Sequence, residues 1–425
     1  MRSDHRGSGW QSILDGEQKE QARATVQSIA TGILSSLNVG GSKDELSPHG
    51  VSLAGGKAGL AVFYYYLAKS CSHPEKEHYE QAALELLREA VDALSVLPIP
   101  ASFYGGFTGI AWAVEHLAEI AVGEEDVNEP IDDALIEHLG RSPWRFEYDL
   151  ISGLVGYGVY ALERMPRTSA VECLAQIVDR LDETAIRNSQ GVTWYTSPSL
   201  LPPWQQTLYP QGYYNLGLSH GVPGVIALLG EICAAEIATA KAKPLLYGAV
   251  DWLLSQRLPT HRQATFPAFA GDDFGDDDSR MAWCYGDPGV AAALLGAARC
   301  VNESAWEREA TAIAMHALAR PFDQTGVVDA GMCHGAAGLG HIFNRFFQAT
   351  GRLQFKEASQ LWISRTLEMK KAGEGVGDFT FFYPGEGWRS NRCLLTGVAG
   401  IGLTLLAAIA PVEPRWDRIF LLSIP

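Results

Sequence analysis

Two kinds of hydrophobic pattern alternate along the chain. Short segments such as 225–229 (Val-Ile-Ala-Leu-Leu) are apolar throughout, whereas 79–94 and 170–181 place their charged residues on one face when drawn as a helix. A helix that is apolar nearly all round must be buried, and an amphipathic helix can cover it. The alternation therefore predicts repeated pairs of helices, each with an inner and an outer member.

A Gly-x-x-Gly pair precedes each apolar segment and marks an internal repeat with intervals of roughly 50 to 70 residues. Glycine allows a sharp turn and lets inner helices approach closely. Closing a ring of repeats removes the exposed ends that an open solenoid must cap. We therefore predict an all-α protein, an α/α toroid with seven inner and about seven outer helices. The pairs begin at Gly56, Gly106, Gly153, Gly221, Gly286, Gly335 and Gly397.

Three of the intervals between glycine pairs are longer than the others. Their extra residues lie near 187–215, 260–281 and 372–391 and are rich in aromatic, glycine, proline or acidic residues. We expect irregular or small β-containing insertions that cover one rim of the toroid, where functional residues often lie. The sequence predicts a flexible N-terminal arm over 1–15 and a single toroid domain over 16–425.

The amino-acid composition limits which partners and which cellular compartment fit this protein. The net charge of −16 argues against nucleic acid; it is compatible with a basic peptide, or with solubility alone. The seven cysteines show no framework spacing, which favours a reducing compartment and metal or thiol chemistry. The sequence shows neither a signal peptide nor a transmembrane run, so we expect a cytoplasmic protein.

Candidate metal ligands occupy equivalent positions in three successive repeats. Cys284 and Cys333 lie two residues before the first glycine of their turns, and His220 and His334 lie one residue before theirs. Equivalent positions of a true repeat lie around one axis, so two thiols and two imidazoles should converge on one rim. A single Cys or His before a glycine is usually only a packed residue. Three repeats in one register instead favour a shared zinc site, and three protein ligands would leave a fourth position open for catalysis.

The motifs Trp-Cys-Tyr-Gly at 283–286 and Cys-His-Gly at 333–335, with the sevenfold glycine repeat, resemble the lanthionine synthetase C-like family. The resemblance covers about residues 50–410 and implies an α/α toroid with one zinc ion. It implies that a peptide cysteine thiol is added to dehydroalanine or dehydrobutyrine, which forms lanthionine or methyllanthionine thioether rings. The implied partner is a dehydrated precursor peptide with leader and core. A dehydratase and an ABC exporter at the inner face of the membrane are further expected partners.

The same resemblance assigns roles to individual residues. It makes Cys284, Cys333 and His334 the ligands of Zn²⁺. It makes His220 the acid/base residue and matches Asp149, Arg280 and Tyr285 to further active-site positions. Asp149 would orient His220 or hydrogen-bond the peptide, and Arg280 would stabilise enolate charge or pair with Asp149. A purely structural ion pair remains an alternative for Asp149 and Arg280.

Three other functions remain open at this point. A relative could add glutathione to dehydrated residues. A zinc thiol-alkyltransferase on a prenyltransferase-like α/α barrel would need an Asp-Cys-His ligand set and six repeats, so the count of seven disfavours it. A non-catalytic, zinc-stabilised peptide-binding scaffold would not need His220.

Overall fold

Helices make up most of the structure, a computed structural model that describes residues 9–39, 47–120, 126–271 and 274–425. Within these ranges the α-helices are α1 (Gly16–Val39), α2 (Pro48–Val51), α3 (Lys57–Ser70), α4 (Glu75–Asp92), α5 (Phe107–His116), α6 (Glu129–Leu139), α7 (Leu154–Glu163), α8 (Thr168–Thr184), α9 (Pro203–Leu208), α10 (Val222–Ala234), α11 (Thr239–Ser255), α12 (Asp287–Val301), α13 (Ser304–Leu318), α14 (Ala336–Thr350), α15 (Leu353–Glu368) and α16 (Val398–Ile409). Short 3₁₀ helices span Ala93–Ser95, Pro198–Leu200, Phe322–Gln324 and Arg415–Phe420.

The helices that follow the glycine pairs form a closed inner ring. In the described part of the chain these are α3, α5, α7, α10, α12, α14 and α16. Each contacts the next one, and α16 contacts α3. Helices α4, α6, α8, α11, α13 and α15 each pack outside the inner helix that precedes them, while α1 packs outside α16. The predicted all-α class and the toroid of seven inner and seven outer helices are confirmed.

Burial explains why the two helix types differ in pattern. All residues of α16 are buried, whereas α4 buries Tyr79, Ala82, Ala83, Leu86, Leu87 and Ala90, which share one face. Burying one large aliphatic or aromatic side chain contributes about 1.5–3 kcal/mol, so each outer helix is held mainly by this face. The apolar inner helices are short, the longest having 15 residues. No helix among the described residues is long and apolar enough to span a membrane.

The second glycine of each pair is required by a backbone contact. A Cβ added there would lie only 1.9 to 2.5 Å from the carbonyl oxygen of the residue six positions earlier. At the second glycine of each pair, the closest contact is therefore between the first turn of the inner helix and the loop that precedes it. Inner helices approach each other closely at other glycines, such as Gly158 against Leu228 and Gly402 against Phe63. The pairs of glycine and carbonyl are Gly59 and Leu53, Gly109 and Phe103, Gly156 and Leu150, Gly224 and Leu218, Gly289 and Trp283, Gly338 and Met332, and Gly400 and Leu394.

A closed circle of backbone hydrogen bonds joins the seven turns at one rim. In each bond the backbone N–H of one turn donates to a backbone carbonyl of the next turn. The pairs, donor first, are Ala54 and Tyr104 (2.9 Å), Tyr104 and Ile151 (3.0 Å), Leu150 and Ser219 (3.2 Å), Ser219 and Cys284 (3.4 Å), Cys284 and Cys333 (3.3 Å), Cys333 and Leu395 (3.0 Å), and Leu395 and Ala54 (3.1 Å). The residue two positions before the first glycine takes part in every turn. Equivalent repeat positions thus lie side by side around the rim.

Small antiparallel sheets occupy the longer intervals. The strands of the described residues are β1 (Ile186–Asn188), β2 (Gly191–Thr193), β3 (Tyr195–Thr196), β4 (Tyr213–Asn215), β5 (Phe269–Ala270), β6 (Phe381–Tyr383) and β7 (Gly387–Arg389). They pair as β1–β2, as β3–β4–β5 and as β6–β7. The middle sheet joins two separate insertions, because β5 follows α11 while β3 and β4 precede α10. The predicted β-containing insertions are confirmed.

Residues 9–15 are anchored to the toroid. The indole N–H of Trp10 donates to the Ala407 carbonyl (2.8 Å), and the Ile13 N–H donates to the Ala408 carbonyl (2.9 Å). Ile13 and Leu14 are buried. The flexible arm predicted over 1–15 is therefore corrected for 9–15, because these residues are hydrogen-bonded to the end of α16 and Ile13 and Leu14 are buried. Residues 1–8 lie outside the described residues.

Candidate metal centre and active site

Two adjacent turns of the rim bring the candidate ligands together. Cys284 precedes α12, and Cys333 and His334 precede α14. The possible ligand atoms of these three residues all lie within 4.8 Å of one another. The Cys333 carbonyl accepts hydrogen bonds from the N–H groups of both Trp283 (3.2 Å) and Cys284 (3.3 Å). The backbone therefore ties the two ligand-bearing loops to each other.

The donor set fits a zinc ion. Cys284 and Cys333 are free thiols, and His334 adds a borderline nitrogen ligand. A tetrahedral zinc with bonds of about 2.0 to 2.3 Å separates its ligand atoms by roughly 3.5 Å, which is compatible with this cluster. Cys284 is buried while Cys333 and His334 are partly exposed. The cluster thus has an open side, where a fourth ligand could enter.

The two thiols influence each other's protonation. A hydrogen bond from the Cys333 thiol lowers the pKa of Cys284 well below its usual value, against the opposing effect of burial, and His334 acts in the same direction. The same hydrogen bond, together with burial, raises the pKa of Cys333. The pair therefore favours a thiolate stabilised by a hydrogen bond from the other thiol before any metal binds. Thiolates are the form in which cysteine binds zinc.

His220 is held by Asp149 on the neighbouring turn. Its Nδ1 lies 2.5 Å from Asp149 Oδ2, and the Ser152 N–H donates to the other carboxylate oxygen (2.8 Å). The His220 side chain is 42% exposed and that of Asp149 only 11%. Burial opposes a charged imidazole, but the carboxylate of Asp149 raises the pKa of His220 above its usual value. Asp149 thus engages Nδ1, which leaves Nε2 as the nitrogen available to a substrate.

Tyr285 lies between the cluster and the insertions. Its ring stacks on His220 with centroids 6.3 Å apart, and Phe269 of β5 packs against it at 5.5 Å. Its hydroxyl accepts a hydrogen bond from the Asn215 side chain (3.0 Å). Burial raises the pKa of Tyr285, so the side chain remains a neutral phenol. Tyr285 therefore supports the His220 ring and joins it to the β3–β4–β5 sheet.

Arg280 is exposed at the edge of the site, four residues before Cys284. Its positive charge lowers the pKa of both Cys284 and Cys333, although less than the mutual hydrogen bond and burial affect them. Among the described residues, Asp149 pairs with His220 rather than with Arg280. The structure brings Arg280 near the cluster and leaves its guanidinium without a described hydrogen bond or ion pair.

Sequence reasoning missed the polar residues that brace these turns. Asn215 accepts from the Gly217 N–H (2.8 Å) and donates to Tyr285. Asp329 accepts hydrogen bonds from the N–H groups of Gly331 (2.9 Å) and Phe382 (3.3 Å), which links the loop of Cys333 and His334 to β6. Both lie six residues before the first glycine of their turns. That shared register, visible in the repeat, is the signal that could have identified them.

Fold and site together define a class of protein: a sevenfold α/α toroid with a Cys-Cys-His cluster on one rim. The family model described as "Lanthionine synthetase C-like protein" matches residues 47–421. The chain belongs to this family, so the resemblance seen in its motifs is confirmed.

Individual relatives agree with this membership. The solved structure of nisin cyclase superposes with a TM-score of 0.73 at 19% identity, covering 95% of this chain and 98% of that one. "Nisin biosynthesis protein NisC" from Lactococcus lactis subsp. lactis is 23% identical over 319 residues, which is 68% of this chain and 72% of the relative. "Glutathione S-transferase LANCL1" from Danio rerio is 24% identical over 313 residues, 69% of each chain. At these identities the likeness shows the fold.

Proposed function

We propose that this protein is a zinc-dependent lanthipeptide cyclase. It adds a cysteine thiol of a dehydrated precursor peptide to dehydroalanine or dehydrobutyrine, and so forms lanthionine or methyllanthionine rings. The observation that carries the proposal is the position of the three-residue cluster beside the His220–Asp149 pair on one rim. The cluster offers an open position for a thiol, and the pair offers a proton donor.

Cys284, Cys333 and His334 are the residues that would hold the zinc ion. Zinc bound there would supply a substrate thiolate at neutral pH, where a free thiol with a pKa of about 8.5 remains mostly protonated. The two cysteine ligands contribute negative charge, which keeps a neighbouring substrate sulfur nucleophilic. This donor set suits thiol addition better than activation of water.

His220 would handle the proton of the reaction. Attack by the substrate thiolate on the β-carbon forms the carbon–sulfur bond and shifts the alkene electrons to an enolate. The Asp149 carboxylate holds Nδ1–H, so a protonated His220 presents Nε2–H to the α-carbon and quenches the enolate. The proton lost by the next substrate thiol restores the imidazolium. A positioned acid/base group of this kind typically contributes 10²–10⁴-fold, on the order of a few kcal/mol.

The two other matched residues take supporting roles in this proposal. Arg280 is exposed beside the cluster, and its guanidinium would stabilise the negative charge of the enolate. Tyr285 keeps the His220 ring in place by stacking, with its own hydroxyl fixed by Asn215. His220 would then retain the orientation that the proton transfer needs.

The proposed substrate is a dehydrated precursor peptide with its leader and core. The net charge of −16 would favour a basic peptide. A dehydratase and an ABC exporter complete the proposed set of partners, with the protein in the cytoplasm at the inner face of the membrane.

The test is an assay with purified protein, one equivalent of zinc and a dehydrated precursor peptide. Free peptide thiols are counted over time by alkylation and mass spectrometry. We expect thiols to disappear while the mass of the unalkylated peptide stays constant, because the addition is intramolecular.

The same assay separates the alternatives when glutathione is included. The relative named as a glutathione S-transferase favours a second candidate, in which the peptide gains the mass of glutathione and keeps its own thiols. A non-catalytic scaffold would bind the peptide and leave both thiols and mass unchanged. Either of these results would contradict the cyclase proposal.

A further inference from the structure

The C-terminal segment, residues 411–425, belongs to none of the repeats and is packed into the toroid. Its 3₁₀ helix spans Arg415–Phe420, and the residues there are tightly enclosed: Trp416, Ile419, Phe420 and Leu422 are at most 1% exposed. Leu421 adopts a left-handed backbone conformation with φ of 54°, which residues other than glycine adopt rarely. Tertiary contacts must therefore hold this turn.

Charged groups fix the segment to two inner helices. The fully buried Asp417 accepts hydrogen bonds from His341 Nε2 (2.7 Å) and from Arg345 Nε (2.5 Å) and Nη2 (2.8 Å), all on α14. Arg418 pairs with Glu163 at the end of α7 (2.9 Å). Because α14 and α7 are not neighbours in the ring, the segment bridges two separate parts of the toroid.

The same segment reaches the loop that carries a candidate metal ligand. The indole N–H of Trp283 donates to the Phe420 carbonyl (2.9 Å), and the two rings meet edge to face at 4.9 Å. The Tyr104 hydroxyl donates to the neighbouring Ile419 carbonyl (2.8 Å), and the Tyr104 ring lies 6.2 Å from that of Trp283. The Trp283 side chain is therefore enclosed by the C-terminal segment and by another turn of the rim.

Trp283 directly precedes Cys284, so its position sets that of the thiol. Its backbone N–H is bound to the Cys333 carbonyl (3.2 Å), while its side chain is bound to the C-terminal segment. A movement of the indole would be transmitted over one peptide unit to the Cys284 sulfur. Loss of a group that orients a metal ligand typically weakens metal binding by roughly 10–100-fold.

We infer that the C-terminal segment positions the metal centre: the Phe420 carbonyl and ring hold Trp283, and Trp283 holds Cys284 at the correct distance from Cys333 and His334. This inference rests on the proposed function only for the identity of the metal. Trp283 and Phe420 are positioning residues, since both are buried and act through Cys284.

The test compares two single substitutions in the full-length protein. Trp283→Phe keeps an aromatic ring and removes the N–H donor. Trp194→Phe is the matched control, because Trp194 is also fully buried and donates its indole N–H to a backbone carbonyl, that of Leu181 (2.9 Å). Zinc affinity is measured by competition with a chelator, and the thiolate-to-metal absorption is recorded after replacement of zinc by Co²⁺.

We expect Trp283→Phe to weaken zinc binding by roughly 10–100-fold and to shift the Co²⁺ absorption, as loss of a group that orients a ligand typically does. Trp194→Phe should leave both properties at their wild-type values. Wild-type zinc affinity and spectrum in Trp283→Phe, with only a lower melting temperature, would show a structural contact alone and overturn the inference.

Phe420→Leu provides a second variant, which covers the case that Trp283→Phe does not fold. It keeps the backbone carbonyl and removes the ring, so we expect a zinc affinity between those of wild type and Trp283→Phe. An unchanged affinity in Phe420→Leu would also overturn the inference.

Neither readout needs peptide cyclisation. Weakened zinc binding in a protein without cyclase activity would sustain this inference and refute the proposed function, whereas a wild-type protein without zinc would refute both.

Discussion

The two halves of the toroid rim share one backbone arrangement and differ in their side chains. On the candidate-ligand half, the two residues before the first glycine are Ser219-His220, Cys284-Tyr285 and Cys333-His334. On the apolar half they are Leu395-Thr396, Ala54-Gly55 and Tyr104-Gly105. The backbone hydrogen bonds of the circle are alike in both halves, for example 3.3 Å from the Cys284 N–H to the Cys333 carbonyl and 2.9 Å from the Ala54 N–H to the Tyr104 carbonyl. The scaffold is thus common to all repeats, and the three candidate ligands and His220 occupy two positions of three adjacent turns.

The turn before Gly153, the third along the chain, lies between these halves and shows how far the site extends. Its residues at the same positions are Ile151-Ser152, which bear no candidate ligand. Asp149, three residues before Ser152, nevertheless reaches His220 on the next turn. The candidate site therefore spans four adjacent turns, and its acid/base pair is formed between turns rather than within one.

The largest expected effect is the loss of metal binding when a candidate ligand is removed. Cys284→Ala or Cys333→Ala should reduce the zinc content from one ion per chain to none, because two remaining ligands hold zinc poorly. Metal analysis of the purified proteins measures this, with circular dichroism to check the helical content. Cys393→Ala is the control, since this buried cysteine lies on the apolar half of the rim and should keep full zinc. Full occupancy in both ligand variants would refute the assignment.

The next effect concerns His220, which shares the register of His334 but lies outside the three-residue cluster. His220→Asn should keep its zinc and still bind the dehydrated peptide. The rate of thiol loss should fall by roughly 10²–10⁴-fold, because the proton donor is gone. Time courses of free thiols by mass spectrometry measure this rate. Zinc loss in the variant would instead indicate a closed, four-ligand structural site, and an unchanged rate would exclude His220 from the mechanism.

A glycine substitution tests the scaffold on the apolar half. In Gly109→Ala the new Cβ would lie 1.9 Å from the Phe103 carbonyl oxygen. We expect the free energy of unfolding to fall by roughly 2 to 3 kcal/mol, as for other overpacked sites. Gly296→Ala in α12 is the matched control, because nothing lies within 4 Å of its added Cβ. That change should stabilise the helix by about 0.5–1 kcal/mol. Chemical denaturation compares the two, and equal stabilities would contradict the proposed contact.

The smallest effect is a change in the pH dependence of His220. Asp149 raises the pKa of His220, so Asp149→Asn should lower it. The stabilising contribution of the raised pKa is present below the ordinary histidine pKa of about 6.5 and is lost as the pH rises through the folded-state value. In Asp149→Asn this stabilising contribution should be lost at a lower pH than in the wild type, and the cyclisation rate should also begin to decline at a lower pH. Titration of the His220 ring protons by NMR measures the pKa, and an identical value in both proteins would contradict the pairing.

The helix pairs, the sevenfold repeat and the candidate ligands can be predicted from the sequence, because each depends on a pattern of residues that are close together in the chain. The apolar run 225–229 lies in an inner helix, and 79–94 and 170–181 largely coincide with outer helices α4 and α8. Cys284 shares its register with Cys333, and His334 shares its register with His220, which is enough to predict ligand atoms on adjacent turns. The side chains of Cys284, Cys333 and His334 do lie together. The prediction for residues 9–15 is wrong, since their few apolar residues have no period and their partner, α16, lies at the other end of the chain.

The sequence by itself determined the period, the number of repeats and the residue types at each turn, because turn geometry and helical amphipathicity act over a few neighbouring residues. Only the tertiary structure decided that Asp149 binds His220 rather than Arg280, that α16 closes the ring on α3, and that Phe420 reaches Trp283. These contacts join residues far apart in the chain. Such pairings depend on how the ring closes and on which side chains fill its interior, and no local pattern records that.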